Sequence, residues 1–117
     1  MRPVVGVLCL ALSATASGAA EKDPASASYL LPACRLYLQV ADRGTRLRLE
    51  RGVCIGTTET VLRLHRQLRA GSSFCPPDRV TLEAAVKAVV AFTEGRSDLD
   101  RPLSELAIEG FQQKWPC

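Results

Sequence analysis

Apolar residues recur along this chain at helical spacing. Leu30, Cys34, Tyr37 and Ala41 fall at i, i+4, i+7 and i+11, which predicts a first helix over residues 28–42. Pro32 belongs in its first turn, where a missing N–H costs nothing. Leu31, Leu38 and Val40 widen the apolar surface, so this helix is expected to be buried on more than one side. A second helix is expected over residues 53–70, with Val61, Leu64 and Leu68 on one face and Gly71 as its stop. Thr81 reads as the N-cap of a third helix and Glu83 suits its first turn. Leu82, Ala85, Val86, Val89 and Val90 form that helix's apolar stripe, and Gly95 ends it. Pro102 opens a fourth, in which Leu103, Leu106, Ala107, Gly110 and Phe111 face inward. Gly110 has no Cβ and would let another helix come close.

Between the first two helices the pattern changes. Leu47 and Leu49 alternate with Arg46 and Arg48 between Gly44 and Gly52, a short strand-like run. No second strand candidate exists to pair with it, so residues 43–51 are expected to form a loop or to extend the first helix. Phe74-Cys75-Pro76-Pro77 is a rigid connector, and the chain has no internal repeat or low-complexity tract. The expected fold is all-α, a small four-helix bundle-like domain over residues 28–117.

The first twenty residues have a different character. Arg2 supplies a positive start, residues 4–12 are apolar, and residues 13–20 are small and polar, with cleavage options after Ala19 or Ala20. That is the layout of a secretory signal peptide, and the apolar run is far short of the roughly 20 residues a membrane helix needs. Cys9 lies inside it without the preceding small residue a lipoprotein would want. Residues 21–27 read as a loose lead-in. Removing the leader takes Arg2 and Cys9, so the net charge falls from +3 to +2 and five cysteines become four. An even number of cysteines suits an oxidising compartment. The expected location is the periplasm, with no membrane insertion after cleavage.

Cys34, Cys54, Cys75 and Cys117 contain no Cys-x-x-Cys pair, and His65 is the sole histidine, so the spacing argues against zinc and against a catalytic thiol. Two structural disulfides are the expectation, stabilising by roughly 3–4 kcal/mol each before strain. Four cysteines allow three pairings. A short connection makes the third and fourth helices antiparallel, which returns Cys117 to Cys75 and leaves Cys34 for Cys54.

Nothing else in the residue inventory supports catalysis. There is no glycine-rich phosphate loop, no serine nucleophile motif and no cofactor signature. Asp98 and Asp100 are the residue types of an acid–base or calcium site, but a solvated loop with helix-capping acids is far commoner. Two surfaces remain. Residues 35–69 carry eight arginines against Asp42, Glu50 and Glu59, whereas residues 70–117 are net acidic. Arg63, Arg66 and Arg69 loosely share a face, and Arg43, Arg46, Arg48 and Arg51 crowd the preceding segment. This is either a solvated basic face or a docking surface for an acidic partner or anionic envelope polymer. Nucleic acid is disfavoured by the export signal and the lack of interleaved aromatics. The second surface is the loop Arg96, Ser97, Asp98, Leu99, Asp100 and Arg101, which on a braced base would suit a cleft-inserting inhibitor and also looks like an ordinary helix connection.

Cys54-Ile55-Gly56, then Phe74-Cys75-Pro76-Pro77, then the terminal run from Glu109 to Trp115-Pro116-Cys117 appear in an order and spacing that resembles the Rap/Tai immunity proteins of type VI secretion. The resemblance covers Cys34 to Cys117. It implies a small helical periplasmic protein, often a homodimer, that blocks a cell-wall amidase effector by occupying its active-site cleft and performs no chemistry itself. Thr57 stands where the family usually has tyrosine, and the 94–101 loop lacks the family's His-Pro, which leaves the particular toxin open. A reading from a different class is a general periplasmic structural or chaperone-like protein with no toxin partner.

Overall fold

A computed structural model describes residues 22–39 and 48–117. Four α-helices occur among the described residues: α1 (Ala27–Leu38), α2 (Arg48–Arg63), α3 (Leu82–Thr93) and α4 (Leu103–Lys114). Short 3-10 turns at Leu64–Gln67 and Ala70–Ser72 lie between α2 and α3. No strand occurs among the described residues, and Ser26 and Pro102 form an isolated bridge. The leader with its cleavage positions, Cys9, and residues 40–47 with Ala41, Arg43 and Arg46 lie outside the described residues.

α1 starts one residue earlier than expected because Ser26 caps it. The Ser26 hydroxyl accepts from the Tyr29 N–H at 3.3 Å and donates to the Asp23 carbonyl at 2.7 Å. Pro32, the sixth residue of α1, sits in the second turn and not the first, so one helical hydrogen bond is forgone. Burial of Ala27, Leu30, Leu31, Ala33 and Cys34 explains why the helix survives this, since its apolar positions are enclosed by the other helices.

The second helix departs most from expectation. It begins at Arg48, so the strand-like alternation around Leu49 is helical and belongs to α2, and it ends at Arg63, well before Gly71. Its buried stripe is Cys54, Thr58 and Val61, while Leu64 is exposed and Leu68 half-buried. A local contact competes with continuation of the helix: the His65 Nδ1 lies 2.9 Å from the Leu62 carbonyl, which an α-helix would offer to residue 66. The chain tightens into 3-10 geometry there and turns extended at Leu68, bringing Phe74 into the core.

α3 and α4 follow the sequence pattern closely. Thr81 Oγ1 accepts from the Ala84 N–H at 3.1 Å, and Gly95 takes a positive φ of 74° beyond the end of α3. Leu103, Leu106, Ala107, Gly110 and Phe111 are all buried. A Cβ on Gly110 would stand 3.1 Å from the Cβ of Phe92, so the close approach of α3 and α4 depends on this glycine. An aromatic row crosses the core, His65–Phe74–Phe111–Trp115, with successive centroids 5.9, 5.1 and 5.3 Å apart.

Two disulfides close the fold in the pairing that the antiparallel layout implies. Cys34–Cys54 joins α1 to α2, and Cys75–Cys117 joins the connector to the C-terminus.

Two substitutions test this packing by urea denaturation. Gly110→Val forces Phe92 away from α4 and should lower stability by about 1–3 kcal/mol. The Thr58 hydroxyl is buried and makes no hydrogen bond, so the isosteric Thr58→Val should raise stability by about 1 kcal/mol.

Candidate functional site

The 96–101 loop is built into the domain by its backbone. The first two N–H groups of α1 have no partner within the helix; Ala27 donates to the Arg101 carbonyl at 2.9 Å and Ser28 to the Leu99 carbonyl at 2.7 Å. The Leu103 N–H, first in α4, donates in return to the Ala25 carbonyl at 2.9 Å. The starts of α1 and α4 thus cap each other through the loop. Leu99 packs against the core from within it.

Side chains add a second layer. Arg96 makes a two-pronged contact with Asp98, Nε to Oδ1 at 2.9 Å and an amino group to Oδ2 at 2.7 Å. Its guanidinium also stacks over the Phe92 ring, 4.5 Å from the centroid. Arg101 lies across the start of α4 and donates to Asp98 at 3.1 Å, Glu105 at 3.3 Å and Glu109 at 2.7 Å. These side chains are only partly exposed, 31% for Arg101 and 35% for Asp98, and they act as a network and not as isolated surface pairs.

The titration of these groups follows from the contacts. Hydrogen bonds from Arg96 and then Arg101 hold the Asp98 carboxyl well below the usual carboxylate range. The Arg101 hydrogen bond lowers Glu109, against a smaller opposing effect of burial. Glu109 and Asp98 in turn raise the pKa of Arg101.

Of the six loop residues, Arg96, Asp98 and Arg101 are engaged with one another and with α4, and Leu99 faces the core. Ser97 and Asp100 are exposed. Glu105, Glu109 and Phe92 complete the arrangement and were missed from the sequence. The signal for the two glutamates was their spacing, four and eight residues after Arg101 on one helix face.

The basic residues are less organised. Arg63 ends α2 and pairs with Glu59 at 2.7 Å, Arg66 is in a 3-10 turn, and Arg69 follows in extended backbone. The break in α2 means the three do not share one helix face. Arg66 and Arg69 are exposed and form no ion pair with a described residue. Arg48 is exposed at the start of α2, beside the exposed Leu49 and Val53. Arg63 and His65 line a cleft of about 240 Å³ with Glu59, Pro76, Pro77 and Asp78. His65 is tied to the Leu62 carbonyl and leans on Phe74, a structural placement.

Among the described residues no group of three or more histidine, cysteine or acidic side chains is placed to hold a metal ion, and no helix is long and apolar enough to cross a membrane. The arrangement is suited to presenting a fixed surface.

The model of one protein family, described as Rap1a immunity proteins, matches residues 26–117, from the cap of α1 to the last cysteine. Nothing matches among curated proteins or solved structures.

Because the folded-state pKa values of Asp98 and Glu109 are lowered, the stability they contribute is fully present above their ordinary values of 3.8 and 4.5. It drains as the pH falls below those values and is gone once the pH is below the lowered ones. Arg101→Ala should flatten this acid limb of the urea midpoint against pH. At pH 7 it should also lower the midpoint more than Arg63→Ala, whose exposed i,i+4 pair is worth about 0.5 kcal/mol or less.

Proposed function

The chain belongs to the Rap1a immunity proteins, and from that we propose that it acts in the periplasm by binding a toxin, a peptidoglycan amidase delivered by type VI secretion. In this reading it covers the enzyme's active-site cleft with the 96–101 loop and contributes no chemistry of its own. The observation that carries the reading is the double anchoring of that loop, through the mutual capping of α1 and α4 and through the Arg101 ion-pair network. A loop ordered before it meets its target loses little further entropy on binding, so more of the contact energy appears as affinity. The side chains left to read the target are Ser97 and Asp100, with Glu105 partly exposed beside them.

The same anchoring disfavours the chaperone-like alternative, which has no need of a loop held in one shape. A homodimer belongs to the same proposal. Leu49, 77% exposed, and the neighbouring Val53 supply apolar surface on which a second copy would fit.

Capture experiments with the secreted protein, disulfides formed, against the envelope and secreted proteins of its own cell should recover one stoichiometric cell-wall hydrolase. With that partner in hand, calorimetry should show Ser97→Ala with Asp100→Ala weakening binding at least about tenfold, the scale of a central contact. Arg66→Ala with Arg69→Ala should leave it unchanged. The reverse order would move the interface to the basic face. Absence of any hydrolase, in cells that secrete such toxins, would return the chain to the chaperone-like reading.

A further inference from the structure

The two disulfides occupy opposite environments. Cys34 and Cys54 are fully buried between α1 and α2, at 0% exposure each. Cys75 and Cys117 are both exposed. A thiolate must reach a disulfide sulfur to exchange with it, and exposed bonds are the labile ones.

The C-terminus does not depend on the exposed bond alone. The Cys75 N–H donates to the Trp115 carbonyl at 2.8 Å, and the Trp115 N–H to the Phe111 carbonyl at 2.7 Å. Gln112 Nε2 donates to the Gly71 carbonyl at 2.9 Å. Phe111, fully buried, packs between the tilted rings of Phe74 and Trp115. With the bond open, these contacts still keep Trp115 two residues from Cys117 and next to Cys75. Cys34–Cys54 has no comparable freedom, because reaching its sulfurs requires α1 and α2 to separate.

We propose that Cys75–Cys117 is a thiol-exchange site that takes a dithiol and cycles between disulfide and dithiol while the helices stay folded. One thiolate of the incoming dithiol attacks one sulfur of the pair. The Cys75–Cys117 bond breaks, and the other cysteine leaves as a thiolate that takes up a proton from water. The second thiol of the reagent, as its thiolate, then attacks the mixed disulfide and releases the remaining cysteine. Two electrons pass to the protein, and the reagent ends as a disulfide. Reoxidation reverses the same steps, with the two cysteines already adjacent. Cys34–Cys54 stays closed throughout and keeps α1 on α2.

The test is differential alkylation. The oxidised protein is treated with dithiothreitol at neutral pH without denaturant, quenched with iodoacetamide at intervals, and mapped by peptide mass. Cys75 and Cys117 should be alkylated at least about 100-fold faster than Cys34 and Cys54, since the buried pair exchanges only through large-scale opening. The helical circular dichroism should not change. A common rate for all four cysteines, or no labelling until denaturant is added, overturns the proposal. Cys75→Ser with Cys117→Ser supplies an independent check: it should retain cooperative unfolding, and loss of the helical fold in this variant would equally overturn the idea.

Discussion

Arg101 ties the start of α1, the 96–101 loop and α4 together. Its carbonyl accepts the first N–H of α1, and its guanidinium gathers Asp98, Glu105 and Glu109. One position therefore fixes where α1 begins, how the loop folds back and how α4 starts. Helix N-termini expose donors that must be satisfied somewhere. Here two helices remote in sequence satisfy each other's through the 99–103 segment, so the loop's shape is a condition of the helices forming where they do.

This arrangement extends inward through Phe92. The ring rests against Gly110 on α4 and carries Arg96 on its face. A close helix crossing, permitted by a missing Cβ, is thereby linked to the orientation of a charged side chain that pairs with Asp98. Core packing and the loop surface are therefore one mechanical unit. The contrast with the far end of α3, about 18 Å away for a helix of this length, is marked. There the chain is tied by an exposed disulfide and a row of packed, tilted rings.

Much of this was legible in the linear pattern. The inward faces of α3 and α4, the Thr81 cap, the Gly95 end and the role of Gly110 each follow from a local rule with a short reach, and both disulfide pairings follow from the antiparallel layout of α3 and α4. α2 was misread at both ends. Its start is set by helix formation through Leu49, where alternation suggested something extended. Its end is influenced by the contact of His65 with the Leu62 carbonyl, a competition between side chain and backbone that periodicity does not register. For the same reason Arg63, Arg66 and Arg69 do not lie along one helix: α2 ends at the first, and the last is in extended backbone.

The family and the all-helical class were determined by the sequence alone, because each rests on residue types at fixed intervals, and the cysteine pairing followed once the last two helices were laid antiparallel. Which loop charges are spent and which remain was decided only in three dimensions. Arg96, Asp98 and Arg101 resemble free recognition residues until Glu109, eight positions further on, is brought beside Arg101 by one and a half turns of α4 and the return of the loop. The same holds for the cysteines. Their spacing suggested who bonds whom, but the burial that makes one bond inaccessible comes from α1 packing on α2, whereas Cys75 and Cys117 remain exposed. Periodicity encodes which side of a helix is apolar; it carries no information about which neighbour that side, or a charge at its edge, will meet.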